Sequence, residues 1–125
     1  MSKKILIVDD EELIIRSLTK LLEKEGYSVL VVKNGADALA MTEEEDFDLI
    51  IADIRMPGIN GVDTIASIFE DLEQKQKNKI PVIFITGYAD KEVEEKAKTL
   101  KPAAYIYKPF DISTLVNKVK EVVDK

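Results

Sequence analysis

Short apolar runs alternate along the chain with longer amphipathic, charge-rich stretches. Lys4–Val8, Tyr27–Val32, Asp48–Asp53, Pro81–Thr86 and Ala104–Lys108 are runs of five or six residues rich in Ile, Val, Leu and aromatics, which predicts strands. Asp48-Leu49-Ile50-Ile51-Ala52-Asp53 is apolar between its two acids, the pattern of a central strand covered on both faces. The stretches between have helical spacing. Glu11–Glu25 carries Ile14, Leu18, Leu21 and Leu22, with Gly26 as its cap. Asn34 caps a short helix from Ala36 to about Glu44, with Leu39 and Ala40 turned inward. Val62 to about Leu72 runs through Ile65, Ile68, Phe69 and Leu72, and a polar segment, Glu73–Lys79, follows as helix end and loop. Asp90–Leu100 is a charged helix with few anchors, namely Val93, Ala97 and Leu100. Asp111 caps a last helix with Leu115, Val116, Val119, Val122 and Val123 on one face.

Five strands alternating with five helices predict an α/β fold with a doubly wound parallel sheet. In such a sheet every strand's carboxyl end lies on one edge, where ligands bind. Four of these strands end on reactive side chains: Asp9-Asp10, Asp53, Thr86 and Lys108. Three carboxylates gathered there repel one another, and one lysine does not balance them. A hard divalent ion with oxygen ligands does, and Mg²⁺ (or Mn²⁺) fits a site of few carboxylates that leaves room for a phosphoryl oxygen. Asp53 is the available nucleophile for a phosphoryl group, with the lysine and the hydroxyl as ligands for its oxygens.

Composition narrows the choices. The 125 residues fit one domain, 1–125, and 46% of them are hydrophobic, enough for a sizeable core. Histidine is absent, which removes the usual general base, zinc ligand and triad member together. Cysteine is absent too, which suits a cytoplasmic protein. The net charge is −6, and no basic cluster marks a nucleic-acid groove. No apolar run reaches the length of a membrane span, and the residues after Met1-Ser2-Lys3-Lys4 are too few for a signal peptide.

Four segments in order carry a specific resemblance: Ile7-Val8-Asp9-Asp10-Glu11; Asp53-Ile54-Arg55-Met56-Pro57-Gly58-Ile59-Asn60-Gly61; Ile85-Thr86-Gly87; and Tyr105-Ile106-Tyr107-Lys108-Pro109-Phe110. Over essentially its whole length the chain resembles a response-regulator receiver domain of the single-domain, CheY-like kind. The resemblance implies strand order 2-1-3-4-5. It implies that Asp53 accepts a phosphoryl group from a histidine kinase or histidine phosphotransfer protein. Asp10, Asp53 and the backbone carbonyl of Arg55 would ligate Mg²⁺, with Asp9 acting through metal-bound water. Lys108 would pair first with the acid and then with the phosphoryl group, behind a cis Lys108-Pro109 bond. Thr86 would turn toward the phosphoryl oxygen and Tyr105 would move inward behind it. Output would pass to a protein partner through the last two helices and the strand between them, or through a relay, with the domain acting as a monomer. The only chemistry catalysed would be its own phosphorylation and dephosphorylation.

Three departures stand out. Arg55, two residues after Asp53, and Tyr88, two after Thr86, are placed to screen or orient the water that hydrolyses the acyl phosphate. Lys101-Pro102 stands where the family usually has Gly-Ala, so the fourth helix and its loop are expected to be displaced or mobile. Glu73–Lys79 is longer than usual, and padding is the favoured reading. Two other functions fit the residues less well. An aspartyl-phosphate phosphatase usually carries a second acid where this chain has Arg55. A flavin-phosphate carrier needs a Ser/Thr/Gly-rich loop where this chain has Asp9-Asp10-Glu11-Glu12, which repels phosphate.

Overall fold

The centre of the sheet is the strand Leu49–Asp53, and all five of its residues are buried. The computed structural model describes residues 3–55, 60–87 and 90–124. Along the chain they form β1 (Lys4–Val8), α1 (Glu12–Lys24), β2 (Ser28–Val32), α2 (Gly35–Glu44), β3 (Leu49–Asp53), α3 (Gly61–Gln74), β4 (Val82–Thr86), α4 (Lys91–Thr99), β5 (Ala104–Tyr107) and α5 (Ile112–Val123). The strands form one sheet in the order β2-β1-β3-β4-β5, and every neighbouring pair is parallel. This is the doubly wound architecture that the alternating pattern predicts.

Side chains alternate across each strand, so each strand feeds two cores. Leu6, Val8, Ile50, Ala52, Val82 and Phe84 pack on one face with Ile65 and Ile68 of α3, Ala38 of α2 and Ala97 of α4. Ile5, Ile7, Leu49, Ile51, Ile83 and Ile85 pack on the other with Leu18 and Leu22 of α1 and Leu115 and Val119 of α5. Each fully buried Ile or Leu contributes about 1.5–3 kcal/mol of transfer free energy. The register places Asp53 beside Ile85 and Thr86 beside Tyr107, one residue further along the same edge.

The predicted helix faces need small corrections. In α2 the buried positions are Gly35, Ala38 and Thr42, with Leu39 and Met41 half-buried, while Ala40 is exposed. In α1 Ile15 is buried, and Ile14 only partly. Caps follow the expected chemistry: Asn34 accepts from the Asp37 amide at 2.8 Å and Asp111 from the Ser113 amide at 3.0 Å. Gly26 takes φ +95 after α1. Lys101 itself adopts the left-handed conformation, at φ +53, and Ala103 then donates its amide to the Val82 carbonyl at 2.8 Å, docking the segment on the sheet. Gln76 does the same after α3, at φ +56.

Candidate functional site

The carboxyl edge of the sheet gathers side chains from β3 and from the segments that follow β1 and β5. Asp9 and Asp10 follow β1 directly, and Asp53 is the last residue of β3. Each of these three acids offers a carboxylate oxygen within 4.8 Å of the others. Asp9 and Asp53 are buried, and Asp10 is exposed at the rim. Lys108 reaches in from the end of β5, with its Nζ 3.1 Å from Asp53 Oδ2 and 4.0 Å from Asp9 Oδ2. Its amide donates to the Thr86 carbonyl at 2.7 Å, which ties the lysine's backbone to the end of β4. Thr86 is fully buried, and the Lys108–Pro109 bond is cis.

The described residues on either side of 56–59 are held close to the acid. The Arg55 amide donates to Asp53 Oδ1 at 3.2 Å, and the Gly61 amide donates to the Ile54 carbonyl at 2.8 Å. This brings the start of α3 hard against β3. A Cβ at position 61 would lie 2.2 Å from the Asp53 carbonyl oxygen, so only glycine fits. Sequence reasoning read Gly61 as a loop breaker; its role as a spacer depends on two elements meeting, which no local pattern reports. Asn60 caps α3 by accepting from the Asp63 amide at 2.9 Å. Met56, Pro57, Gly58 and Tyr88 lie outside the described residues, so the roles expected of that loop and of Tyr88 have no structural account.

The electrostatics are unbalanced. Asp9 Oδ1 accepts from the Glu11 amide at 2.9 Å, whereas Asp9 Oδ2 is buried with no hydrogen-bond partner. Burial, together with the Asp53 charge and against the Glu11 amide and Lys108, pushes the Asp9 pKa from 3.8 up to about 6. Burial also works against the Lys108 ammonium, but Glu11, Asp53 and Asp9 outweigh it and hold its pKa above the ordinary lysine value. An orphaned carboxylate oxygen, a second buried acid and an exposed third form a hard-oxygen donor set suited to Mg²⁺.

Tyr105 is half-buried on β5, with its ring 6.3 Å from that of Phe84 and 5.3 Å from that of Tyr107. Burial raises its pKa. Tyr107, exposed at the sheet's edge, has its hydroxyl pKa pushed up to about 12, chiefly by a hydrogen bond to Glu94 of α4.

Comparison with known proteins gives a consistent family. The family model for the response regulator receiver domain matches residues 5–120. The chain is 35% identical over 120 residues to protein PilH of Pseudomonas aeruginosa, covering 96% of this chain and 97% of that one. It is 33% identical over 120 residues to the polar-differentiation response regulator DivK of Brucella anthropi, covering 96% and 95%. Among solved structures, a CheY-like receiver domain protein from Methanospirillum hungatei superposes with a TM-score of 0.89 at 33% identity, covering 99% of this chain and 95% of that one. A response regulator from Burkholderia pseudomallei, whose crystal structure contains a phosphorylated aspartic acid and a calcium ion, superposes with a TM-score of 0.79 at 25% identity, covering 94% and 66%.

Proposed function

The chain belongs to the response regulator receiver domain family, and we propose that it takes a phosphoryl group onto Asp53 from a phosphohistidine and so switches a protein-binding surface. Membership places it in two-component or phosphorelay signalling, as a signalling protein rather than an enzyme acting on external substrates. The finer reading rests on one observation above all: Asp53, buried and central, lies within 4.8 Å of Asp9 and Asp10 and 3.1 Å from the Lys108 ammonium. The Burkholderia relative, with its phosphorylated aspartic acid and calcium ion, supports the same chemistry here.

Asp10, Asp53 and the Arg55 carbonyl would hold Mg²⁺ (or Mn²⁺), with Asp9 beside it. Bound there, the ion neutralises the clustered acids and the oxygens of the entering phosphoryl group. An Asp53 carboxylate oxygen forms the new bond to phosphorus as the phosphorus–nitrogen bond of the donor breaks, and the imidazole leaves with the electron pair. Lys108 follows the negative charge from the carboxylate to a phosphoryl oxygen. Thr86 supplies a hydroxyl to another, and Tyr105 repacks behind it toward Phe84. The readout is a new shape of the face made by α4, β5 and α5, an added dianion acting at a distance through two donors. Arg55 and Tyr88 set access of the hydrolytic water, which ends the signal by cleaving the acyl phosphate. The output partner is a protein, and the domain acts as a monomer in the cytoplasm; among the described residues no helix is long and apolar enough to cross a membrane.

The test is incubation with a small acyl phosphate and Mg²⁺, followed by intact mass. One base-labile phosphoryl group is expected on the wild type and none on Asp53→Asn. Equal labelling of the variant, or no labelling of the wild type, overturns the proposal. Comparing phosphoryl lifetimes of Arg55→Ala and wild type checks the water-screening role, and equal lifetimes remove it.

A further inference from the structure

Glu11 occupies the N-cap position of α1, yet its side chain makes no cap bond. Helix ends favour Ser, Thr, Asp or Asn there because their short side chains reach back to the first amides. Glu11 reaches elsewhere. Its Oε1 lies 3.1 Å from Lys108 Nζ, a residue 97 positions away, and Lys108 Nζ stands at the same 3.1 Å from Asp53 Oδ2. The Glu11 amide is meanwhile held by Asp9 Oδ1 at 2.9 Å, so the turn that presents Glu11 is fixed by a buried acid of the site. The ammonium is thus shared between the proposed phosphoacceptor and an acid outside the metal-binding set.

We propose that Glu11 is a positioning residue that holds Lys108 in this shared resting place and so opposes its transfer to an anion on Asp53. This rests on the phosphoacceptor role of Asp53. The physical reason is competition. A lysine has one charge, and the contact with Glu11 stabilises the position it occupies before any phosphoryl group arrives. Drawing the ammonium onto a phosphoryl oxygen stretches that contact, so Glu11 weakens the site for tetrahedral anions and shortens their stay. Lys108 is largely buried and Glu11 is half-exposed, with side-chain exposures of 16% and 52%. A contact of this partly solvated kind shifts an equilibrium by about five-fold at most.

The neighbouring acid supplies the control. Glu12 carries the same charge one residue on, but its carboxylate pairs with Lys33 instead. Beryllofluoride with Mg²⁺ is the probe, because it forms a tetrahedral anion on a carboxylate and gives an equilibrium constant. Glu11→Gln is expected to tighten beryllofluoride binding by about two- to five-fold, and Glu11→Ala, which also loses the hydrogen-bond acceptor, more than Glu11→Gln. Glu12→Gln should bind as the wild type does. In metal-free protein without the probe, the Lys108 ammonium proton signal in NMR is expected to be sharp in wild type and Glu12→Gln and to broaden by fast exchange in Glu11→Ala. Unchanged affinity in both Glu11 variants, an equal gain in Glu12→Gln, or an unchanged ammonium signal in Glu11→Ala overturns the proposal. A wild type that takes up neither beryllofluoride nor phosphoryl refutes the phosphoacceptor reading instead, and the ammonium signal still decides the role of Glu11.

Discussion

Replacing Asp9 by Asn should stabilise the metal-free protein, and the gain should depend on pH in a defined way. Asp9 is fully buried, one of its oxygens has no partner, and its pKa rises from 3.8 to about 6 on folding. Below pH 4 both the folded and the unfolded chain hold the proton, and the residue is neutral in each. Between pH 4 and 6 the unfolded chain gives up the proton first, so stability falls as pH rises. Above pH 6 the buried carboxylate is charged in both states and the penalty is complete. A shift of that size corresponds to about 3 kcal/mol at pH 7. Asparagine keeps the oxygen that accepts from the Glu11 amide, and its NH₂ can donate to Asp53 as a protonated Asp9 would. The Lys108 attraction at 4.0 Å is already contained in that shift, and since the asparagine amide must itself be desolvated, about 1–3 kcal/mol should remain. Urea melts of wild type and Asp9→Asn at pH 4, 5, 6 and 7 with a chelator measure it. The two curves should coincide near pH 4 and separate steadily toward pH 7. Adding Mg²⁺ should stabilise wild type more than the variant, closing the gap, because only the wild type offers the full donor set. A variant less stable than wild type at pH 7 without metal, or a gap that does not change with pH, would refute the reasoning.

Gly61→Ala forces a Cβ to within 2.2 Å of the Asp53 carbonyl oxygen; a loss of about 2–3 kcal/mol in urea melts is expected, together with slower labelling of Asp53. Lys101→Gly and Gln76→Gly relieve left-handed residues at φ +53 and +56; each should add about 0.5–1 kcal/mol, and a loss in either melt would show that the side chain contributes more than the backbone strain costs. Leu13 is 76% exposed on α1, close along the chain to a groove of about 360 Å³ lined by Glu11, Ile14, Lys108, Pro109, Phe110 and Ile112. Leu13→Asp should slow transfer from a phosphohistidine protein about ten-fold, the cost of losing one apolar anchor, yet leave labelling by a small acyl phosphate unchanged; equal slowing with both donors would place the defect at Asp53 instead.

Most of the fold could be read from the chain because its strands are nearly all apolar and its helices show spaced apolar faces. β3 and β4 bury every residue, so their runs admit few other readings. Errors gathered where the period is short or the surroundings decide. α2 is ten residues long with several alanines, so size does not fix its inward face, and Ala40, expected inside, is exposed. Lys101 defeated the glycine rule because its positive φ, which costs an isolated residue about 1–2 kcal/mol, is held by the bond from Ala103 to Val82 in the sheet. That bond is tertiary, and local propensity does not report it. The acids of the site are legible because each stands at the end of a strand or just past it, and parallel strands bring their ends together. Glu11 and Gly61 were not, because one acts through a contact 97 positions away and the other through a missing side chain.

These misses share a physical origin. The residues that carry charge at the site are announced by strand topology, whereas those that adjust it work through distances between elements. Asp9 is held against its solvation preference by the turn into α1, and the same turn aims Glu11 at Lys108. A fold with two apolar cores can carry that cost, since β3 and β4 alone bury ten residues, among them Leu49, Ile50, Ile51, Val82, Ile83, Phe84 and Ile85. A cation bound at the site would relieve this charge imbalance, so its binding would draw on free energy already stored in the folded state. α4 is the least buried of the five helices. Only Ala97 of its nine residues is buried, while α3 buries six, and the Lys96–Asp63 pair ties it to α3.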